Sequence, residues 1–281
     1  LIDHNRGSKL QVDMSSPYLK LERINLVVPV DEHSPLAFED FELAVMKFEF
    51  VTLLSGQPRL LSGILRMIAG DIPCSPGRIL LADRLIDSPG LERTLIVQSP
   101  CLLPWMTAYE SVLLKFKTAF PRASTRECHA ATTAALSDVG LGDRLHQRVG
   151  ALTPQLKTKI ALAEVIAMRP RLLLLDNPYT ELDAESRLEI QELTGRIARQ
   201  HQLTTLLITS DLDEAMRLSD RLIVLNPTKL SLNTEEFLLP PRLLDSATRE
   251  SNRPAYHALR EKILNILQAA RPLDTSIGLP V

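Results

Sequence analysis

The sequence predicts an α/β fold followed by a C-terminal helical extension, and three observations carry that expectation. Residues 172–175 are four consecutive leucines, too short for a helix and bounded by Pro170 and Pro178, the pattern of a fully buried central strand. Segments of strand character alternate with segments whose apolar residues recur at helical spacing. Near the end, Tyr256, Leu259, Ile263, Leu264 and Leu267 mark an amphipathic helix that opens at Pro254. Asp176 sits where the leucine strand leaves the sheet. Ligands of open α/β sheets bind outside the carboxyl ends of strands, so a carboxylate here is placed to meet a divalent cation. An Asp that merely ends a strand is the plainer alternative.

The 281 residues carry 32 Lys and Arg against 34 Asp and Glu, a formal charge of −2, with 45% hydrophobic and 23% charged residues. That suits one large domain and an appendage. Neither half is strongly basic, so nucleic acid is not an expected partner. Cys74, Cys101 and Cys128 lack paired spacing and His neighbours, which argues against zinc and for a reducing compartment. No apolar run approaches the roughly 18 residues that span a bilayer, and residues 1–7 have no signal-peptide apolar core. Work at a membrane would need another chain as anchor.

Residues 1–17 are polar and read as a tail. From Tyr18 to Val30 the apolar residues roughly alternate, at Leu19, Leu21, Ile24, Leu26 and Val28, as in a strand, and a polar loop follows from Asp31 to Ser34. Residues 41–46 and 50–54 read as a hairpin. Next comes Ser55-Gly56-Gln57-Pro58-Arg59-Leu60-Leu61-Ser62-Gly63. From Leu61 on, Leu61, Ile64, Leu65 and Ile68 form the i, i+3, i+4, i+7 face of a core helix ending at Ala69-Gly70. Residues 93–98 are another strand with Gln98 at its end, before Leu102-Leu103-Pro104-Trp105 and a helix at about 109–117. Helices at about 123–139 and 153–168 flank a glycine-bearing turn near 140–142. Thr153 is a good N-cap, and Pro154 suits the first helical position. Leu188, Ile190, Leu193 and Ile197 mark a further amphipathic helix, and 204–211 the next strand.

Over roughly residues 18–270 these segments resemble the ATP-binding-cassette (ABC) ATPases. The 172–176 strand with Leu182-Asp183 resembles the Walker B strand and D-loop, and Leu65-Arg66-Met67-Ile68-Ala69-Gly70 the end of the helix after the P-loop. Gln98 with Leu102-Leu103-Pro104-Trp105-Met106-Thr107-Ala108 looks like the Q-loop of importers for nitrate, sulfonate, taurine and bicarbonate. Leu152-Thr153-Pro154-Gln155 stands at the signature, and Thr209-Ser210-Asp211 at the switch. The resemblance implies a P-loop NTPase-like ABC ATPase fold with mixed sheet, helical subdomain and C-terminal helical extension. A cassette domain would cover 18–230, with its helical subdomain at about 99–168 and the extension at 231–281. It further implies a transmembrane permease subunit, docked on Leu102, Leu103, Pro104 and Trp105, and a second ABC ATPase subunit in a homo- or heterodimer. The place of work would be the cytoplasmic face of the membrane, peripherally held. A lone Trp in a loop is otherwise more often plain core.

The chain departs from the family where nucleotide would touch. Val28 stands for the adenine-stacking aromatic, Ser55 and Leu60 for P-loop glycines, Leu61 for the P-loop Lys, Asn177 for the catalytic Glu and Ser210 for the switch His. Phe48 replaces a turn Gly, and Pro154-Gln155 replace the signature glycines. Ser62, Gln98, Asp176 and Asp183 remain. Leucine brings no charge to a phosphate, and an amide takes no proton from water near neutral pH. Arg59 is the one nearby cation, two positions early. Random decay strikes core and site alike, so selective loss points to a folded chain that has shed ATP chemistry. The expectation is a pseudo-ATPase: not an enzyme, without nucleotide or Mg²⁺ as cofactor, a structural or regulatory partner in an importer. An active ATPase with atypical contacts and an ABC-fold adaptor away from any transporter are the alternatives.

Overall fold

The structure, a computed structural model, describes residues 16–31, 34–56, 58–74, 76–227, 232–239 and 253–269. Most of the expected N-terminal tail lies outside them. The chain runs β1 (Leu19–Asp31), β2 (Ser34–Val45), β3 (Phe50–Leu54), α1 (Pro58–Ala69), β4 (Arg78–Leu81), β5 (Arg84–Leu85), β6 (Arg93–Val97), α2 (Ala108–Ala119) and α3 (Thr125–Asp138). It continues with α4 (Pro154–Met168), β7 (Leu172–Asp176), α5 (Ala184–Gln200), β8 (Thr204–Thr209), α6 (Leu212–Leu218), β9 (Arg221–Pro227), β10 (Leu232–Leu238) and α7 (Arg253–Ala269).

Six strands form the central sheet in the order β10-β9-β3-β8-β7-β6, parallel except where β10 pairs antiparallel with β9. β3 and β8 are buried along their whole length, and β7 along its four leucines, which explains why they read as continuous apolar runs rather than alternations. The two faces of β7 feed different cores. Leu173 and Leu175 join the helices α2–α5, while Leu172 and Leu174 join α1 and a second sheet. That second sheet is antiparallel, in the order β2-β1-β4-β5. A third apolar cluster packs α6 and Ile263 of α7 against Leu222, Val224, Phe237 and Leu239. Arg260 of α7 adds an ion pair to Asp213 at 2.9 Å.

Two expectations are corrected. Residues 41–46 and 50–54 are not a hairpin: β2 pairs with β1, whereas β3 lies between β8 and β9 in the other sheet. The turn between them holds Phe48 at φ +67°, its N–H donated to Thr204 Oγ1 at 3.0 Å, so a residue stands in the left-handed region where glycine is easiest. The polar loop expected at 31–34 is shorter than anticipated, since β1 reaches Asp31 and β2 starts at Ser34.

Side-chain caps fix the ends of the helices. Thr107 with Glu110 and Ser124 with Glu127 form capping boxes on α2 and α3. Thr153, Asp183 and Asp211 cap α4, α5 and α6.

Candidate functional site

The carboxyl ends of β3, β7 and β8 meet at one edge of the central sheet. Ser55 follows β3 directly and is buried, its N–H donated to Thr209 O at 3.1 Å. Gly56 is open; a Cβ added there would meet nothing within 4 Å. The helix then begins early. Pro58 opens α1 inside the stretch expected to wrap a phosphate, at a position where its missing N–H would be unpaired anyway. Leu61 consequently falls on the inner face of α1, 0% exposed, in one core with Ile64, Leu65 and Ile68. The side chains of Val28, Arg59 and Leu60 lie outside the described residues.

Ser62, the next residue, points the other way and donates from Oγ to Asp176 Oδ1 at 2.9 Å. Burial raises the Asp176 carboxyl above its ordinary value, and the Ser62 hydrogen bond offsets part of that. Asn177 takes φ +48°, which Asn tolerates better than most residues, and donates its N–H to Ile208 O at 2.9 Å. Thr180 Oγ1 donates back to Asn177 O at 3.1 Å. Gln98 lies half-buried just past β6, and Ser99 beside it donates to Glu181 Oε1. Asp183 is committed to structure: its carboxylate accepts from Ser186 N at 3.0 Å and Ser186 Oγ at 2.9 Å, which holds it below the ordinary range. Ser210 is exposed at the end of β8.

The segment before α2 is clamped as backbone and open as side chain. Gly150 N donates to Pro104 O at 3.0 Å, Val149 N to Met106 O at 2.9 Å and Ala108 N to Gln147 O at 3.0 Å. Gly150 is needed for that approach, because a Cβ there would stand 3.0 Å from Pro104 O and 3.3 Å from Pro104 Cβ. Leu102 packs inward on the helical core, Leu103 is half-buried, Pro104 is exposed and Trp105 is 66% exposed. Trp105 is therefore not a core residue.

At the head of α4, Leu152 is buried, Thr153 is exposed and accepts from Leu156 N, and Pro154 is exposed at the first helical position. Gln155 does not stand free. Its Nε2 donates to Glu189 Oε2 at 2.5 Å, and Lys159 Nζ, one turn on, holds Glu189 Oε1 at 2.6 Å. Glu189 went unnoticed in the sequence; the i, i+4 spacing of Gln155 and Lys159 on α4 was the available signal.

Comparison with known proteins sets these residues in context. Residues 61–180 match the family model described as ABC transporter. The chain is 36% identical over 236 residues to the bicarbonate transport ATP-binding protein CmpC of Synechocystis sp., covering 83% of this chain and 35% of that one, about a third of its length. It is 31% identical over 252 residues to CmpD of Synechococcus elongatus, covering 89% of this chain and 90% of that one. The nitrate transport protein NasD of Klebsiella oxytoca is 31% identical over 241 residues, at 84% and 91% coverage. Among solved structures, the dimeric, ADP- and Pi-bound cassette MJ0796 superposes with a TM-score of 0.68 at 19% identity, over 80% of this chain and all of that one. CbiO1 of Clostridium perfringens gives 0.68 at 21% identity, over 88% and 99%. These two show the fold, that of an ABC ATPase cassette. The chain belongs to the ABC transporter family of ATP-binding cassettes.

Proposed function

We propose that this chain is a noncatalytic cassette subunit, structural or regulatory, of an importer for a small oxyanion of the nitrate or bicarbonate kind. The oxyanion class rests on the names of its relatives. The observation that carries the noncatalytic reading is the place of Leu61. A P-loop lysine must reach phosphates, and this position instead faces a packed core. Pro58 removes one backbone donor, and Asn177 supplies no base. The phosphate cradle therefore does not fit a nucleoside triphosphate, and no catalytic step is assigned to it. In this reading the subunit sits peripherally on the cytoplasmic face, paired with a second cassette and held to a permease through Leu102, Leu103, Pro104 and Trp105. Among the described residues no helix is long and apolar enough to cross a membrane.

One observation favours a second reading, an ATPase with atypical contacts: Ser62 and Asp176 keep the hydroxyl and carboxylate suited to Mg²⁺, 2.9 Å apart. Calorimetry with Mg-ATP separates the two. The expected result is no binding in the micromolar range, since losing the lysine alone removes a charge-assisted contact worth about 1.5–3 kcal/mol. Micromolar binding, or hydrolysis restored by Asn177→Glu alone, would overturn the noncatalytic reading. An adaptor away from any transporter would fail to co-purify with a permease.

A further inference from the structure

The helical side of the molecule carries a cavity to which the proposed function gives no role. Between the end of α2, the start of α3 and the end of α4 lies an open trough of about 770 Å³. Phe116, Ala119, Phe120, Ala123, Ala130 and Ala131 line it, and the rings of Phe116 and Phe120 stand 4.9 Å apart. Phe116 is buried, but Phe120, Ala123 and Ala131 are covered only in part, so the helical core ends here on an apolar edge.

Two cations and one acid stand on that edge. Glu127 is already committed: its Oε2 accepts from Ser124 N and Ser124 Oγ, both at 2.7 Å, where it caps α3. Arg122 and Arg169 are exposed, and neither guanidinium has a hydrogen bond or an ion pair among the described residues. Asp138 lines the neighbouring cavity beside Arg169 without pairing with it. Arg169 is nonetheless placed. Its guanidinium carbon lies 5.8 Å from the centre of the Phe120 ring, a contact that holds the charge at the trough wall and uses none of its N–H donors. The Arg169 backbone stands at φ +52° where α4 ends, a place that glycine occupies with least strain. Arginine there brings a charge at a backbone cost, and among the described residues that charge meets only an aromatic ring.

We propose that the trough binds an apolar monocarboxylate, a medium-chain acyl anion in the simplest case, with its carboxylate on Arg169 and its hydrocarbon along Phe116, Ala119 and Phe120. Charge complementarity fixes the head, since a guanidinium without a partner offers two parallel N–H donors to a carboxylate. The half-covered rings and alanines fix the tail, because they and the hydrocarbon leave water together. The site shares no residue with the edge that holds Ser62 and Asp176, and it stands whether or not the chain hydrolyses ATP.

Calorimetry on the whole chain with hexanoate, octanoate and 1-octanol tests this. Octanoate should bind saturably and about 15-fold more tightly than hexanoate, since each buried methylene contributes about fourfold. With the same tail and no charge, 1-octanol should bind about 10-fold more weakly than octanoate, or weaker still. Arg169→Gly suits the backbone and should fold with an undiminished Tm, yet weaken octanoate by about the same 10-fold and leave 1-octanol unchanged. Ala130 is exposed, so Ala130→Trp should also fold, and its ring should fill the trough and exclude both ligands. The proposal is overturned if the wild type shows no saturable octanoate binding, or if either variant folds and keeps wild-type affinity for octanoate. Self-association that Ala130→Trp abolishes, with no octanoate bound by the wild type, would equally overturn it and give the trough to a second copy of the chain. Should Arg169→Gly not fold, Ala130→Trp and the comparison of octanoate with 1-octanol on the wild type decide.

Discussion

Restoring the family lysine by Leu61→Lys should break the fold before it builds a phosphate site. Leu61 is wholly buried in the core under α1. Removing its apolar burial costs about 1.5–3 kcal/mol, part of which the lysine methylenes recover. The ammonium must either stay charged in that core or give up its proton. For a group of ordinary pKa about 10.4, deprotonation at pH 7 costs about 1.36 × 3.4, or about 4.6 kcal/mol. The sum, about 5 kcal/mol, is comparable to the whole stability of many domains. Urea unfolding followed by circular dichroism measures it. The pH dependence carries the sharper test. A buried lysine has its pKa depressed in the folded chain, so the unfolded state holds the extra proton and the deficit shrinks as pH rises. Between pH 7 and pH 9 it should fall by about 2.7 kcal/mol relative to wild type at each pH. A variant within about 1 kcal/mol of wild type at pH 7, binding Mg-ATP at micromolar concentration, would refute the reasoning and place position 61 in a working P-loop.

Trp105→Ala should leave the thermal transition of the isolated chain nearly unchanged, because the side chain is 66% exposed, yet abolish co-purification with a permease. Aromatic anchors in such pockets commonly contribute about 2 kcal/mol or more, and a collapsed transition would return Trp105 to the core. In a heterodimer with an intact cassette, this chain's Thr153-Pro154-Gln155 would close the partner's nucleotide site. Small misplacements near reacting atoms can cost about 100-fold, so Pro154→Gly with Gln155→Gly should speed turnover. Unchanged turnover in a complex shown to contain both chains would mean that this helix end never meets the partner's nucleotide.

What was legible in the sequence followed local pattern. β7 was readable because four leucines between prolines leave few alternatives, and α1 because its inner face has helical spacing. The cap Thr153 lies where its residue type favours it, whereas Asp183, expected only as a retained D-loop residue, turned out to cap α5. The misplaced hairpin failed for a physical reason. Nothing local tells β3 that its partners are β8 and β9 rather than the strand just before it. β4 and β5 went unseen because their two-residue turn, Ala82-Asp83, holds φ of +50° and +60° without the Asn-Gly signal such turns usually carry. At the site, the core role of Leu61 was readable from its helical spacing with Ile64, Leu65 and Ile68. Elsewhere residue identity told what was missing but not what had replaced it: Gln155 is tied to Glu189, and Trp105 is presented to solvent.

The same sheet order bears on how the chain is made. Phe50 pairs with Thr205, and Val51 with Arg221, so β3 stays without either neighbour until about 150 further residues have been synthesised. At about 5–20 residues per second that interval is roughly 8–30 s, far longer than local helices take to form. Throughout it, β3 lacks both of its strand partners and α1 has only the second sheet to pack on, while the α2–α4 helices are complete once Met168 is made and can already pack on one another. Chains cut between α4 and β8 should thus accumulate as aggregation-prone fragments with a folded helical part, and holdase chaperones should capture them through the uncovered β3.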